Sequence, residues 1–153
     1  MLADAPTLDQ LAIDHFQGEA FLLKVDRRLI DLESLQPHEE AIKRADFLIM
    51  ETGWSRYWGT ERYFDAFPVL SPEAARWLTG RGLKGVGVDT ISFDPMDTRE
   101  YAVHKTLLGA NLLLVENLTN LASIATPTFR FFCLPLKIEQ ADGSPVRAVA
   151  CYK

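Results

Sequence analysis

The chain has only two cysteines and three histidines among 153 residues, and its basic residues do not outnumber its acidic ones. Cys133 and Cys151 stand 18 residues apart within apolar runs, not in a Cys-x-x-Cys pair, and read as core thiols of a reducing, cytoplasmic compartment. Sixteen Lys and Arg against 21 Asp and Glu give a net charge of −5, with the cations scattered, which argues against a grip on nucleic acid or on anionic membranes. Apolar runs such as Leu112-Leu113-Leu114-Val115 stop after four residues, where a membrane span needs about 20. The opening Met1-Leu2-Ala3-Asp4-Ala5-Pro6 shows neither the basic nor the apolar region of a secretory leader. A Gly-x-Gly-x-x-Gly fingerprint, a Walker loop and a nucleophile elbow are all missing, and Gly85-Val86-Gly87-Val88 is too short to stand in for one. Nucleotide binding and serine-hydrolase chemistry therefore have no support.

What is present is the composition of an ordinary globular domain, with 48% hydrophobic and 24% charged residues. A chain of this length buries roughly 68–70% of its unfolded surface, and one domain over residues 1–153 is the simplest reading. Short apolar runs alternate with helical patterns and turn signals, which predicts an α/β domain. Strands are expected at 20–25, 29–30, 47–51, 85–89, 111–116 and 129–138, the last crossed by Pro135, with 146–152 returning as a hairpin through the Asp142-Gly143 turn. Helices are expected over 37–44, after the Ser71-Pro72-Glu73 start, and from a Thr98 cap to Leu108, with Gly109 as a left-handed stop. Between Trp54 and Leu70 the pattern dissolves into an aromatic stretch with no period, read as a long loop or flap.

Candidates for chemistry are few. His15 and His38 fit surface or helix-terminal roles. His104 sits in a predicted helix followed by an apolar strand that ends abruptly in Glu116, a carboxylate that must be solvated, salt-bridged or bound to a cation. Counted along ideal elements, the helix from His104 to Gly109 rises roughly 7 Å. The strand from there to Glu116 would run about 23 Å, so spacing alone does not join the pair. Asp89, ending the glycine-rich strand, could orient a ligand or satisfy backbone N–H groups in a turn. Trp54 and Trp58 could stack on an aromatic substrate or form an oligomer contact. Arg147 could meet a substrate carboxylate or make a surface ion pair.

The run from His104-Lys105-Thr106-Leu107-Leu108-Gly109 to Val115-Glu116-Asn117-Leu118 resembles the downstream signature of the metal-dependent cyclase family, which includes bacterial kynurenine formamidases. Further segments follow in the family's order: Thr7-Leu8-Asp9-Gln10-Leu11, Gly18-Glu19-Ala20, Glu51-Thr52-Gly53-Trp54, Leu70-Ser71-Pro72-Glu73, Gly87-Val88-Asp89-Thr90, Leu134-Pro135-Leu136 and Asp142-Gly143-Ser144-Pro145. The resemblance implies a swivelling β/β/α fold, a mixed sheet with flanking helices, N-terminally shortened relative to the family. It also implies a hydrolase of amide or lactam-type bonds such as that of N-formylkynurenine. In that family a His and a Glu twelve residues apart are metal ligands, which match His104 and Glu116. The implied cofactor is a divalent metal, Zn or Mn, that activates water for attack on a carbonyl. The family's other ligands lie in a His-x-Gly-Thr-His-x-Asp-x-Pro-x-His motif, of which these residues hold only the faint echo Asp4-Ala5-Pro6.

Three readings follow. The chain is a hydrolase of a small-molecule amide whose further ligands come from another chain or another copy; or a metal-free, catalytically silent binding or assembly module; or a shortened product of a longer gene. Apolar surface left bare by a missing segment would favour a homo-oligomer.

Overall fold

The computed structural model describes residues 5–152. Asp4, part of the Asp4-Ala5-Pro6 echo, lies outside the described residues. The described residues form eight strands: β1 (Gln17–Lys24), β2 (Leu29–Ile30), β3 (Phe47–Glu51), β4 (Val69–Leu70), β5 (Gly85–Val88), β6 (Leu113–Val115), β7 (Thr128–Phe132) and β8 (Val149–Cys151). They form a six-stranded sheet in the order β6-β5-β3-β1-β7-β8 and a small parallel pair, β2-β4. β6, β5, β3 and β1 run parallel, while β7 and β8 are antiparallel to their neighbours. The sheet is thus mixed and the fold α/β, as the sequence predicts.

Four helices pack mainly on one face: α1 (Leu32–Leu35), α2 (Glu39–Ile42), α3 (Pro72–Thr79) and α4 (Ala102–Gly109). In β3 the period-2 alternation sends Leu48 and Met50 into the core under these helices, with Val86, Leu78 and Leu107. Phe47 and Ile49 point the other way, into a second core with Phe129, Phe131 and Val115. Burial on both faces explains why β3 reads as an unbroken apolar run. Among the described residues no helix is long and apolar enough to cross a membrane.

Several boundaries differ from the sequence expectation. The helix expected at 37–44 is a 3-10 turn, Gln36–His38, followed by the single turn of α2. α3 begins as expected, with Ser71 Oγ accepting from the Ala74 N–H at 3.1 Å. α4 is not capped by Thr98. Two N–H groups of its first turn, those of Val103 and His104, donate to the two carboxylate oxygens of Asp94, at 3.1 and 3.0 Å. Nor is Gly109 its left-handed stop; that conformation falls on Asn111, at φ 60°. Residues 129–138 form a strand only as far as Phe132, after which a single bridge joins Pro135 to Val146.

The cysteines part company. Cys133 is buried, its thiol pushed up to about 12 by burial, whereas Cys151 is exposed on the edge strand β8. The core-thiol reading is therefore corrected for Cys151, because an edge strand with one solvated face leaves alternate side chains in water.

Candidate metal-binding corner and its surroundings

Parallel β3, β5 and β6 each deliver a carboxylate at or just past the C-terminal end: Glu51, Asp89 and Glu116. α4 leads back towards this edge. The strand expected from residue 111 begins only at Leu113, because the chain first turns through Ala110 and Asn111, so the 23 Å separation drawn from ideal elements shrinks. His104 Nε2 consequently lies 3.1 Å from Glu116 Oε1. The other ring nitrogen, Nδ1, is 2.6 Å from Asp94 Oδ2.

Asp94 therefore has two tasks. It is nearly fully buried, caps α4, and fixes the plane of the imidazole. If Nδ1–H donates to Asp94, the Nε2 lone pair faces a carboxylate oxygen, an arrangement that calls for a second proton or a metal cation between them. Burial pushes the His104 pKa down, but the carboxylates of Glu116 and Asp94 against its two ring nitrogens outweigh it, and the net shift is upward. Glu116 Oε1 is buried and, despite its closeness to the ring, accepts no hydrogen bond of good geometry from the described residues. Two donors of a tetrahedral ion with bonds of about 2.0–2.1 Å stand about 3.3 Å apart, close to the separation seen here. The pair therefore fits two positions of a divalent metal site. Among the described residues no third His, Cys, Asp or Glu joins them in a metal-holding group.

The corner is braced from two sides. Tyr101, just before α4, is held at φ 50°, an uncommon conformation for a bulky residue, with its ring edge-on to His104 at 6.1 Å. Tyr63 is buried and donates its hydroxyl to Asn117 Oδ1 at 2.8 Å, tying down the residue after Glu116. Burial, then the charges of Asp89 and Glu116, push the Tyr63 phenol up to about 12, so it remains a neutral donor at physiological pH. Asp89 meets Thr52, just past the end of β3: its Oδ1 accepts from the Thr52 N–H at 2.9 Å and from Oγ1 at 2.6 Å, while buried Oδ2 has no partner among the described residues.

The Cyclase family model matches residues 1–95. The chain belongs to the cyclase family. It is 36% identical over 106 residues to an uncharacterised protein of Methanocaldococcus jannaschii, an alignment covering 69% of this chain and 53% of that one. It is 32% identical to the kynurenine formamidase of Bacillus cytotoxicus, over 95% of this chain and 68% of the relative. Isatin hydrolase A from Labrenzia aggregata superimposes with a TM-score of 0.85 at 25% identity, over 97% of this chain and 66% of that structure. The chain thus spans little more than half the length of the archaeal relative.

Within this cyclase-family chain, the two tryptophans singled out from the sequence lie apart from the His104–Glu116 pair. Trp54 opens a 3-10 turn, Trp54–Tyr57, and donates its indole N–H to the Tyr63 carbonyl at 3.0 Å. Trp58 is 66% exposed and touches the corner only indirectly, its ring edge-on to Tyr63 at 5.1 Å. The stretch read as a flap is a lobe closed on itself by the Trp54–Tyr63 bond and tied by the Tyr63 hydroxyl to Asn117, just past β6. His104 and Glu116 open instead on a cavity of about 760 Å³ shared with His15, Phe16, Cys133 and Pro135. His15 faces the Asn111 carbonyl at 3.3 Å, His38 packs against Phe21 at 5.9 Å, and Arg147 is exposed. Sequence reasoning missed Asp94, Tyr63 and Asn117. A signal for Asp94 existed, because a metal-ligating His needs a carboxylate or carbonyl on its second nitrogen, and Asp94-Pro95 stands just ahead of the helix that carries His104.

Proposed function

We propose that the chain is a metal-dependent hydrolase of non-peptide C–N amide bonds, acting on a small aryl-formamide substrate of the N-formylkynurenine type. The observation that carries this reading is the buried, unpartnered Glu116 Oε1 beside a histidine whose far nitrogen is fixed by Asp94. His104 Nε2 and Glu116 Oε1 would hold a divalent ion, Zn or Mn. When bound, such an ion polarises a substrate carbonyl and lowers the pKa of water towards neutrality. Asp94 keeps the proton on Nδ1 and so leaves Nε2 available as a ligand. Tyr63 holds Asn117 and so steadies the backbone next to Glu116. The 760 Å³ cavity beside the pair gives room for a small substrate. The name of the Bacillus relative supports the substrate class.

The remaining ligands would come from outside the described residues, from another chain or another copy of this one. Support for a homo-oligomer comes from exposed apolar side chains on the neighbouring segment, Leu134, Leu136, Ile138 and Val146. Light scattering at micromolar concentration is expected to show a dimer or larger assembly; a clean monomer would overturn that part.

The test of the metal reading is titration of chelator-treated protein with Zn and Mn, followed by metal analysis, melting temperature and N-formylkynurenine hydrolysis. Stoichiometric binding, a rise in melting temperature and turnover are expected, with binding lost in Glu116→Gln and His104→Ala. One observation favours a second reading, a silent binding or assembly module: only two ligands gather among the described residues. A melting temperature indifferent to chelator, with no turnover, would decide for it.

A further inference from the structure

A second cavity, of about 730 Å³, lies beyond the C-terminal ends of β1 and β3, where Val25, Thr52 and Trp54 contribute to its wall. Four arginines line it. Arg27 is committed, 3.0 Å from Glu33 and 3.7 Å from Asp31. Asp26, Glu61 and Asp65 share the lining, yet among the described residues no carboxylate comes within 4.0 Å of the guanidinium of Arg28, Arg56 or Arg62. Four arginines against three carboxylates leave the lining cationic in a chain whose net charge is −5, and three of those arginines make no close ion pair among the described residues.

Two of these arginines are held in place by rings. The guanidinium carbons of Arg56 and Arg62 lie 4.8 and 4.1 Å from the centroid of Tyr57, and Arg62 also approaches Trp54 at 5.9 Å. Trp54 and Tyr57 pack edge-on at 4.8 Å, and the indole N–H is anchored on Tyr63. Stacking fixes the plane of a guanidinium while leaving the N–H donors at its edge free for an oxyanion. The backbone around the cavity is specialised too. Gly53 takes φ 69°, which favours glycine, and Ala66 in the wall is held at φ 56°, a conformation uncommon for a residue with a Cβ. Val25, Ala66, Pro68 and the Trp54 ring supply apolar wall beside the cations.

We propose that this cavity binds a small organic anion, a carboxylate or phosphate head on a compact apolar body, gripped by Arg28, Arg56 and Arg62. The guanidinium forks match the planar carboxylate and the phosphate equally well, and the apolar wall takes the body. The site is separate from the His104–Glu116 cavity.

Titration calorimetry and tryptophan fluorescence with phenylacetate, phenyl phosphate and the neutral phenylacetamide test this. The protein is first stripped of metal and then dialysed free of chelator, so that no anion binds through a metal and the outcome stands apart from that of the metal titration. Both anions are expected to bind one per chain, with phenylacetamide weaker by about tenfold or more, the worth of one charge-assisted hydrogen bond. The tighter of the two anions identifies the preferred head. Arg56→Ala and Arg62→Ala should each weaken anion binding about tenfold. Arg62→Lys should recover only part of the loss, since it keeps the charge but not the fork. Arg28→Ala, outside the ring stack, repeats the test on a variant whose folding is not in question. Equal binding of amide and acids, absence of saturable binding, or anion affinities unchanged in the arginine variants would overturn the proposal.

Discussion

The same sheet edge carries two cavities built on opposite principles. Beyond β5 and β6, the His104–Glu116 corner is held by short, directional hydrogen bonds to a buried carboxylate. Beyond β1 and β3, the arginine-lined cavity is held by ring faces and exposed cations. A directional network fixes atoms to within tenths of an ångström, which a metal demands, but loses much when one member goes. A stacked surface is adaptable and loses little per group. Substitutions in the first should therefore cost far more stability than substitutions in the second.

Asp94→Ala is the severest break. It strips the cap from α4, leaves the Val103 and His104 N–H groups without acceptors and frees the imidazole. A loss of about 3 kcal/mol is expected in urea unfolding, together with loss of metal binding. If the loss were no greater than that of a surface substitution, the corner would not be the rigid partner in the comparison.

Next comes pH. His104 has its pKa raised in the folded chain, and the groups facing it are Asp94, Glu116 and the rings of Phe93 and Tyr101. In chelator-treated protein the stabilisation from its charged form is complete below the unfolded value of about 6.5 and is lost as pH rises through the higher folded value. Urea midpoints of wild type and His104→Gln, compared across that window, should converge as pH increases.

How far the sequence announces these features depends on whether they are local or assembled. β3, the start of α3 and the α/β alternation are local patterns, and residues 47–51 are a strand from end to end as expected. The His104–Glu116 contact is assembled. It depends on Ala110 and Asn111 turning the chain before β6 begins, and no count along ideal elements contains that turn. The cap of α4 was misplaced for the same reason. Thr98 is the nearer capping type, but Asp94 reaches both N–H groups only because residues 95–101 loop out between them. Tyr63 and Asn117 meet across 54 residues, a separation that no local period records.

Tyr63 joins the two regions, since its carbonyl anchors Trp54 and its hydroxyl anchors Asn117. Tyr63→Phe cuts only the second tie and keeps the ring packing. About 1 kcal/mol of stability should be lost. The sharper readout is a weaker apparent metal affinity with anion binding at the arginines unchanged, since only the Glu116 side is released. Weakening of both together would mean that the cavities are one coupled unit.

The smallest effect belongs to Trp58. Its ring is 66% exposed, and its recorded ring partner is Tyr63, edge-on. Trp58→Ala should change unfolding stability by no more than about 0.5 kcal/mol. The two roles that its exposure leaves open, stacking on a substrate and contact with a second copy, make different demands on this variant. The two are separable in this variant. If the ring stacks on substrate, KM rises while the assembly seen by light scattering stays intact; if it is an oligomer contact, the assembly dissociates at micromolar concentration. A variant unchanged in both would place Trp58 outside the working surface of either cavity.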